Sequence, residues 1–169
     1  TMMANVGNVM MVANESNCVA YNEILLQAFD TGVGCVSPNG YTRLLGKLFF
    51  LGDDGIYATD GSSPLLISQK VEPYIRGATK AGKRGCAAGH KGRSVFFTLG
   101  DVTKRRPDGS TEKVLKDVCI EYNITQEQWF VHTGVKAGMF ATFVDTADTD
   151  RLILIPPISA TNHIYTTEF

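Results

Sequence analysis

Residues 47–61 read Lys-Leu-Phe-Phe-Leu-Gly-Asp-Asp-Gly-Ile-Tyr-Ala-Thr-Asp-Gly. Two apolar runs, 48–51 and 56–58, flank Gly52-Asp53-Asp54-Gly55. Aromatic and β-branched residues suit a pleated, half-buried strand. An Asp-Gly step supplies the positive φ of a tight hairpin, and a second such step, Asp60-Gly61, turns the chain again before residues 64–68. The stretch therefore reads as a meander of short strands. The pattern returns downstream: residues 93–98 are expected to pair with 117–123 and then 128–132, and residues 151–155 with 163–169. Each time an apolar strand precedes one that carries a tyrosine, Tyr57, Tyr122 or Tyr165. Repeated meanders of this length are how β-propeller blades read in sequence.

The expected fold is all-β: a single domain over 1–169, built as a propeller-like array of three to four antiparallel β-meander blades with one short helix. The blades are placed at about 5–29, 33–68, 84–133 and 138–169, close to the usual period of roughly 40–50 residues. A closed propeller needs at least about four blades. The remaining strands then come from a longer polypeptide, of which this chain is a fragment, or the ring closes imperfectly. Residues 6–13 read as one strand. Residues 23–29 are ambiguous between strand and helix, and the repeat favours strand. The helix is expected over 69–76, with Ser68 as N-cap and Gly77 just past its end. Residues 78–85 read as a basic connector. Residues 101–116 read as a protruding hairpin about Pro107-Asp108-Gly109, where Pro presets φ and Gly accepts the left-handed position.

Charge is unevenly spread. Residues 76–116 hold eleven Lys/Arg against three Asp/Glu, and the rest of the chain holds five against fourteen. This polarity points to a charged partner, nucleic acid or an acidic protein face. The competing reading is a set of solvated loops neutralised by neighbours in space. No apolar run approaches the roughly 20 residues that cross a bilayer, so no membrane span is expected. The spacing of Cys18, Cys35, Cys86 and Cys119 matches no zinc or redox motif. Each sits among small or apolar residues and reads as a buried free thiol, which favours folding in a reducing compartment.

Catalytic patterns are weak. Asp53, Asp54 and Asp60 read as turn residues before they read as a carboxylate pair, and Asp145, Asp148 and Asp150 lack the spacing of a calcium loop. His90, His132 and His163 are scattered, and no Ser or Cys stands in a nucleophile motif. Trp129 reads as a core residue. No catalytic residue, metal or cofactor is therefore expected. The candidate site is instead the basic hairpin, with Lys104, Arg105, Arg106 and Lys113 as partner-binding residues.

Several segments together resemble the propeller proteins of tailed-phage virions, the packaged-DNA stabilisation and tubular tail proteins. They are Gly34-Cys-Val-Ser-Pro38, residues 47–61, Ile67-Ser-Gln-Lys-Val-Glu72 and the run 117–129, Asp-Val-Cys-Ile-Glu-Tyr-Asn-Ile-Thr-Gln-Glu-Gln-Trp. The resemblance spans about residues 33–133. It implies a non-catalytic structural subunit of the virion, made in the host cytoplasm. Such a subunit is a head-to-tail connector, tail tube or nozzle, set in a homo-oligomeric ring around the DNA channel. The basic hairpin would then meet a neighbouring acidic subunit in preference to packaged DNA. A host-surface binding propeller, with Tyr41, Tyr74 and Tyr165 lining a glycan or protein site, is the alternative. A propeller-scaffold hydrolase is the third reading, and the required residue cluster is missing from the sequence.

Overall fold

The computed structural model describes residues 2–22, 27–30, 32–106, 108–147, 149–157 and 165–167. Strand dominates, at 53% of the chain against 10% helix, as the all-β expectation requires. Four antiparallel sheets follow one another along the chain. Sheet I comprises β1 (Met2–Val6), β2 (Val9–Ala13), β3 (Cys18–Asn22) and β4 (Gln27–Asp30). Sheet II comprises β5 (Tyr41–Leu44), β6 (Lys47–Leu51), β7 (Ile56–Thr59) and β8 (Leu65–Leu66). A 3₁₀ turn (Gln69–Val71), α1 (Glu72–Gly77) and α2 (Lys80–Arg84) lead to sheet III, which holds β9 (Ala88–Lys91), β10 (Ser94–Arg105), β11 (Thr111–Asn123) and β12 (Gln128–His132). Sheet IV holds β13 (Met139–Val144), β14 (Asp150–Ile155) and β15 (Tyr165–Thr167). Within each sheet the strands pair in chain order. The third strand of every sheet carries a tyrosine, Tyr21 in sheet I included. Residues 18–21 read as a strand in sequence, and Tyr21 extends the tyrosine repeat to sheet I.

Side-chain alternation sets how the sheets stack. Successive residues of a strand point to opposite faces, and in β6 both faces are apolar. Leu48 and Phe50 join Met2, Met11 and Cys18 of sheet I in one core. Phe49 and Leu51 join Val95, Phe97 and Ile120 of sheet III in another. In β10, Phe96 points away from that core and meets Leu152 and Phe140 of sheet IV. Sheets II and III are thus sandwiched on both sides, while sheets I and IV are covered on one. Ile75 and Val71 put the helical segment onto the core between sheets II and III.

Several local expectations need correction. Residues 6–13 are not one strand: β1 ends at Val6 and turns into β2, because Gly7 takes φ +56°. There are two short helices among the described residues, not one. The Thr79 hydroxyl accepts from Gly82 N at 3.0 Å and nucleates α2 where a connector was expected. Ser68 does stand at the N-cap of the 3₁₀ turn, but its hydroxyl makes no capping bond and accepts instead from Ile56 N at 2.8 Å. Gly77 is the last residue of α1, not the one beyond it. Gly61 has the expected positive φ, +105°. Gly55 does not; it packs closely instead, and a Cβ there would stand 2.2 Å from Leu66 Cδ1 and 2.9 Å from the Ser68 hydroxyl, so Leu66 would have to shift. Residues 27–30 are strand, whereas 23–26 and His163 lie outside the described residues.

Candidate functional site: a basic hairpin arm

β10 and β11 are the longest strands, pairing from Ser94 opposite Asn123 to Arg105 opposite Thr111. Their ladder shifts register between Thr98 and Gly100, again between Gly100 and Val102, and a third time between Lys104 and Arg105. Gly100 (φ +66°) and Asp117 (φ +47°) mark the bulged region. Such bulges bend a strand pair and sharpen its twist. Asp101 stabilises the bend by accepting from Asp117 N at 3.2 Å and pairing with the Lys116 ammonium. The Lys116 hydrogen bond holds the Asp101 carboxyl below its ordinary range.

Beyond the bend the two strands form an arm seated on α1. Val102 is fully buried and bridges to Ala78. A Cβ on Gly77 would lie 2.4 Å from the Thr103 carbonyl oxygen, so only glycine lets α1 approach this closely. The tip is a tight turn in which Gly109 N donates to Arg106 O at 2.9 Å, with Gly109 at φ +83°. Asp108 accepts from Ser110 N at 2.8 Å. Its hydrogen bonds from Ser110 lower its pKa.

The four residues expected to bind a partner lie together on this arm, with different roles. Lys104 and Lys113 face each other directly across the ladder. Like charges so placed repel. Lys104 is half-buried, with its ammonium 5.3 Å from the centre of the Tyr74 ring. That contact stabilises by about 0.5–1 kcal/mol at such sites and offsets part of the repulsion. Arg105 and Arg106 are exposed. Together with Arg76, Glu72, Thr103 and Gly109 they line a concavity of about 510 Å³ between arm and helix. Arg105 is steadied by a 3.2 Å bond from its guanidinium to Gly109 O. Among the described residues no carboxylate pairs with Lys104, Arg105, Arg106 or Lys113. Elsewhere the positive surplus is neutralised in space: Arg76 pairs with Glu72, Lys83 with Asp53, and Arg84 with Glu15. All three carboxylates lie outside residues 76–116. The arm therefore carries a cluster of four cations without carboxylate partners among the described residues. Planar guanidinium forks there match carboxylate or phosphate oxygens in pairs.

The other candidate residues are structural. Asp54 accepts from the Tyr57 hydroxyl at 2.8 Å, and Asp60 from the Ser62 hydroxyl at 2.6 Å. Asp145 ties its own turn through Ala147 N and Thr149 N and pairs with Arg151. Asp150 accepts from Gly92 N at 3.1 Å, while Asp148 lies outside the described residues. His90 sits 3.1 Å from the Thr42 hydroxyl, and burial lowers its pKa. His132 meets Glu121 at 2.8 Å in another part of sheet III. Among the described residues no three His, Cys, Asp or Glu side chains gather as a metal centre would require. All four cysteines are buried free thiols, as expected from their neighbours. Burial pushes the Cys35 thiol up to about 11 and Cys119 up to about 12. Trp129 stacks on Tyr122, centroids 4.6 Å apart, against the main core. Tyr41 donates to Met3 O at 3.2 Å, and Tyr74 lies beneath Lys104. These two tyrosines are engaged separately. No helix among the described residues is long and apolar enough to cross a membrane.

No protein-family model matches this chain, and no curated protein sequence matches it.

Proposed function

We propose that this chain is a non-catalytic assembly subunit of the tailed-phage virion type, whose β10–β11 arm docks on an acidic face of a neighbouring subunit. The observation that carries the proposal is the arm itself. It presents Lys104, Arg105, Arg106 and Lys113 without carboxylate partners among the described residues, on a hairpin braced by α1. On this reading the four sheets are consecutive propeller blades. Their chain-order meanders and face-to-face stacking support it, and it follows the resemblance of segments within 33–133 to virion propellers. Four buried free thiols fit folding in a reducing host cytoplasm before incorporation into the virion. Hairpins are common inter-subunit elements, and charge complementarity gives them specificity and speed of encounter.

The test is charge reversal of Lys104, Arg105 and Arg106 to Glu. These side chains are exposed or half-buried, so the variant is expected to fold. In cells producing the virion, it should remain soluble yet be absent from assembled particles. Normal incorporation would sink the proposal. A duplex-DNA titration separates the DNA alternative. Four phosphate contacts would give a slope of log K against log[salt] of about −3.6. Such a slope, lost in the triple variant, would reassign the arm to packaged DNA.

A further inference from the structure

A second concavity, of about 540 Å³, shares no residue with the arm. Three sheets build it: Asn5 of β1 and the Gly7 turn, Arg43 to Lys47 around the β5–β6 turn, and His90 of β9. Outside residues 76–116 the chain holds five Lys/Arg against fourteen Asp/Glu, yet two of those five, Arg43 and Lys47, meet here. No Asp or Glu stands among the described residues that line the concavity. Neither cation pairs with a carboxylate among the described residues. Arg43 Nη1 donates to Asn5 O at 2.9 Å, which anchors the guanidinium to sheet I. A guanidinium carries five N–H donors in a fixed fork, so the Nε–Nη2 edge is left for another acceptor. His90 Nδ1 lies 3.1 Å from the Thr42 hydroxyl, which fixes the ring.

The turn between the two cations is strained. A two-residue hairpin turn of this kind needs positive φ at both positions and normally takes Asn, Asp or Gly. Leu45 sits there at φ +52° and Gly46 at +74°. The leucine is 56% exposed, so it costs stability with little burial to offset it. Strained residues of this sort cluster at ligand clamps. An exposed apolar side chain held beside two unpaired cations suits a ligand that has both characters. We infer that this concavity binds an oxyanion, carboxylate or phosphate, carried on an apolar body. The Nε–Nη2 edge of Arg43 takes two oxygens of the ligand, and the Lys47 ammonium adds a point charge. Leu45 covers the apolar part, and gains against it the burial that it lacks in the free protein. This site is separate from the arm and goes beyond the docking role proposed above.

The experiment is calorimetric titration at pH 7.5 with phenyl phosphate and with benzoate. At least one should bind at one site per chain, and the tighter of the two identifies the oxyanion. Its addition should shift the ring resonances of His90 and leave those of His132, elsewhere in sheet III, in place. Arg43, Leu45 and Lys47 are exposed, so their variants are expected to fold. Arg43→Gln should weaken the tighter probe at least about tenfold, and Lys47→Gln about two- to fivefold. Leu45→Gly should weaken it about three- to fivefold while leaving the bare counterpart, inorganic phosphate or acetate, unaffected. The Lys104/Arg105/Arg106 charge-reversed protein should bind the probe as the unmodified protein does. Absence of binding by both probes, or unchanged affinity in Arg43→Gln, would overturn the inference. So would equal affinity for the probe and its bare counterpart, which removes the apolar component. Loss of binding in the charge-reversed protein would move the anion site to the arm and refute this one, leaving the proposed role of the arm intact.

Discussion

Phe49 and Phe50 are neighbours in sequence, fully buried, and members of different cores. A conservative Phe→Leu exchange at either position should cost about 1–1.5 kcal/mol, the usual loss for a buried apolar swap that nearly conserves volume. Phe49 packs toward sheet III and Phe50 toward sheet I, so their side chains share no cavity. The double variant Phe49→Leu/Phe50→Leu should then lose the sum, about 2–3 kcal/mol, with a coupling below about 0.5 kcal/mol. Phe50 and Tyr57 offer the contrast. Their rings stack at 5.7 Å within one core, and a Phe50→Leu/Tyr57→Leu cycle should show coupling of about 0.5–1.5 kcal/mol. The sums remain inside the about 5–15 kcal/mol stability of ordinary domains, so every variant can be measured by urea unfolding at constant m-value. Equal coupling in the two cycles would refute the opposite-face placement, and with it the stacking of sheet II between sheets I and III.

Leu45 is an exposed non-glycine residue at φ +52°. Its replacement by Gly relieves about 1 kcal/mol of left-handed strain and should raise Tm by about 2–4 °C, whereas a fall in Tm would show that Leu45 packs usefully. Gly77→Ala should destabilise by about 1–3 kcal/mol, through overpacking against Thr103 O; calorimetry showing the modest gain expected from helix propensity alone would count against the close seat of the arm on α1. His90 has a folded-state pKa lowered chiefly by burial, so the unfolded chain takes up the proton first. Its contribution is fully present above the unfolded value of about 6.5 and is lost as pH falls through the lower folded value. His90→Asn should flatten that part of the stability–pH profile; an unchanged slope would exclude His90 as its source. Buried thiols with raised pKa values should resist Ellman's reagent at pH 8 until the protein unfolds, and a fast-reacting native thiol would contradict their packing.

Much of the fold was legible along the chain. Strands such as β6 and β10 announce themselves through aromatic and β-branched runs, and the Asp60-Gly61 and Asp108-Gly109 turns through glycines that accept left-handed backbone. The hairpin of Lys104, Arg105, Arg106 and Lys113 was readable from those same turn signals. The second helix was not: Lys-Ala-Gly-Lys-Arg carries an interior glycine that ordinarily weakens a helix. Gly82 is nonetheless needed, because a Cβ there would stand 2.2 Å from Leu99 O. Nor could the turn chemistry reveal that Gly55 serves close packing.

The local code of alternating apolar residues and turn formers by itself determined an all-β chain of short meanders with one long basic hairpin. It did so because strand period and turn φ are properties of adjacent residues. Tertiary structure alone decided which of the eleven basic residues in 76–116 keep their charge uncompensated. Glu15 and Asp53 come from distant segments to pair with Arg84 and Lys83, whereas Glu72 pairs with Arg76 one turn away in the same helix. Beyond the bulges at Gly100 and Asp117, Lys104, Arg105, Arg106 and Lys113 lie together on the arm. Charge compensation is a matter of distance in space, and sequence separation does not report it.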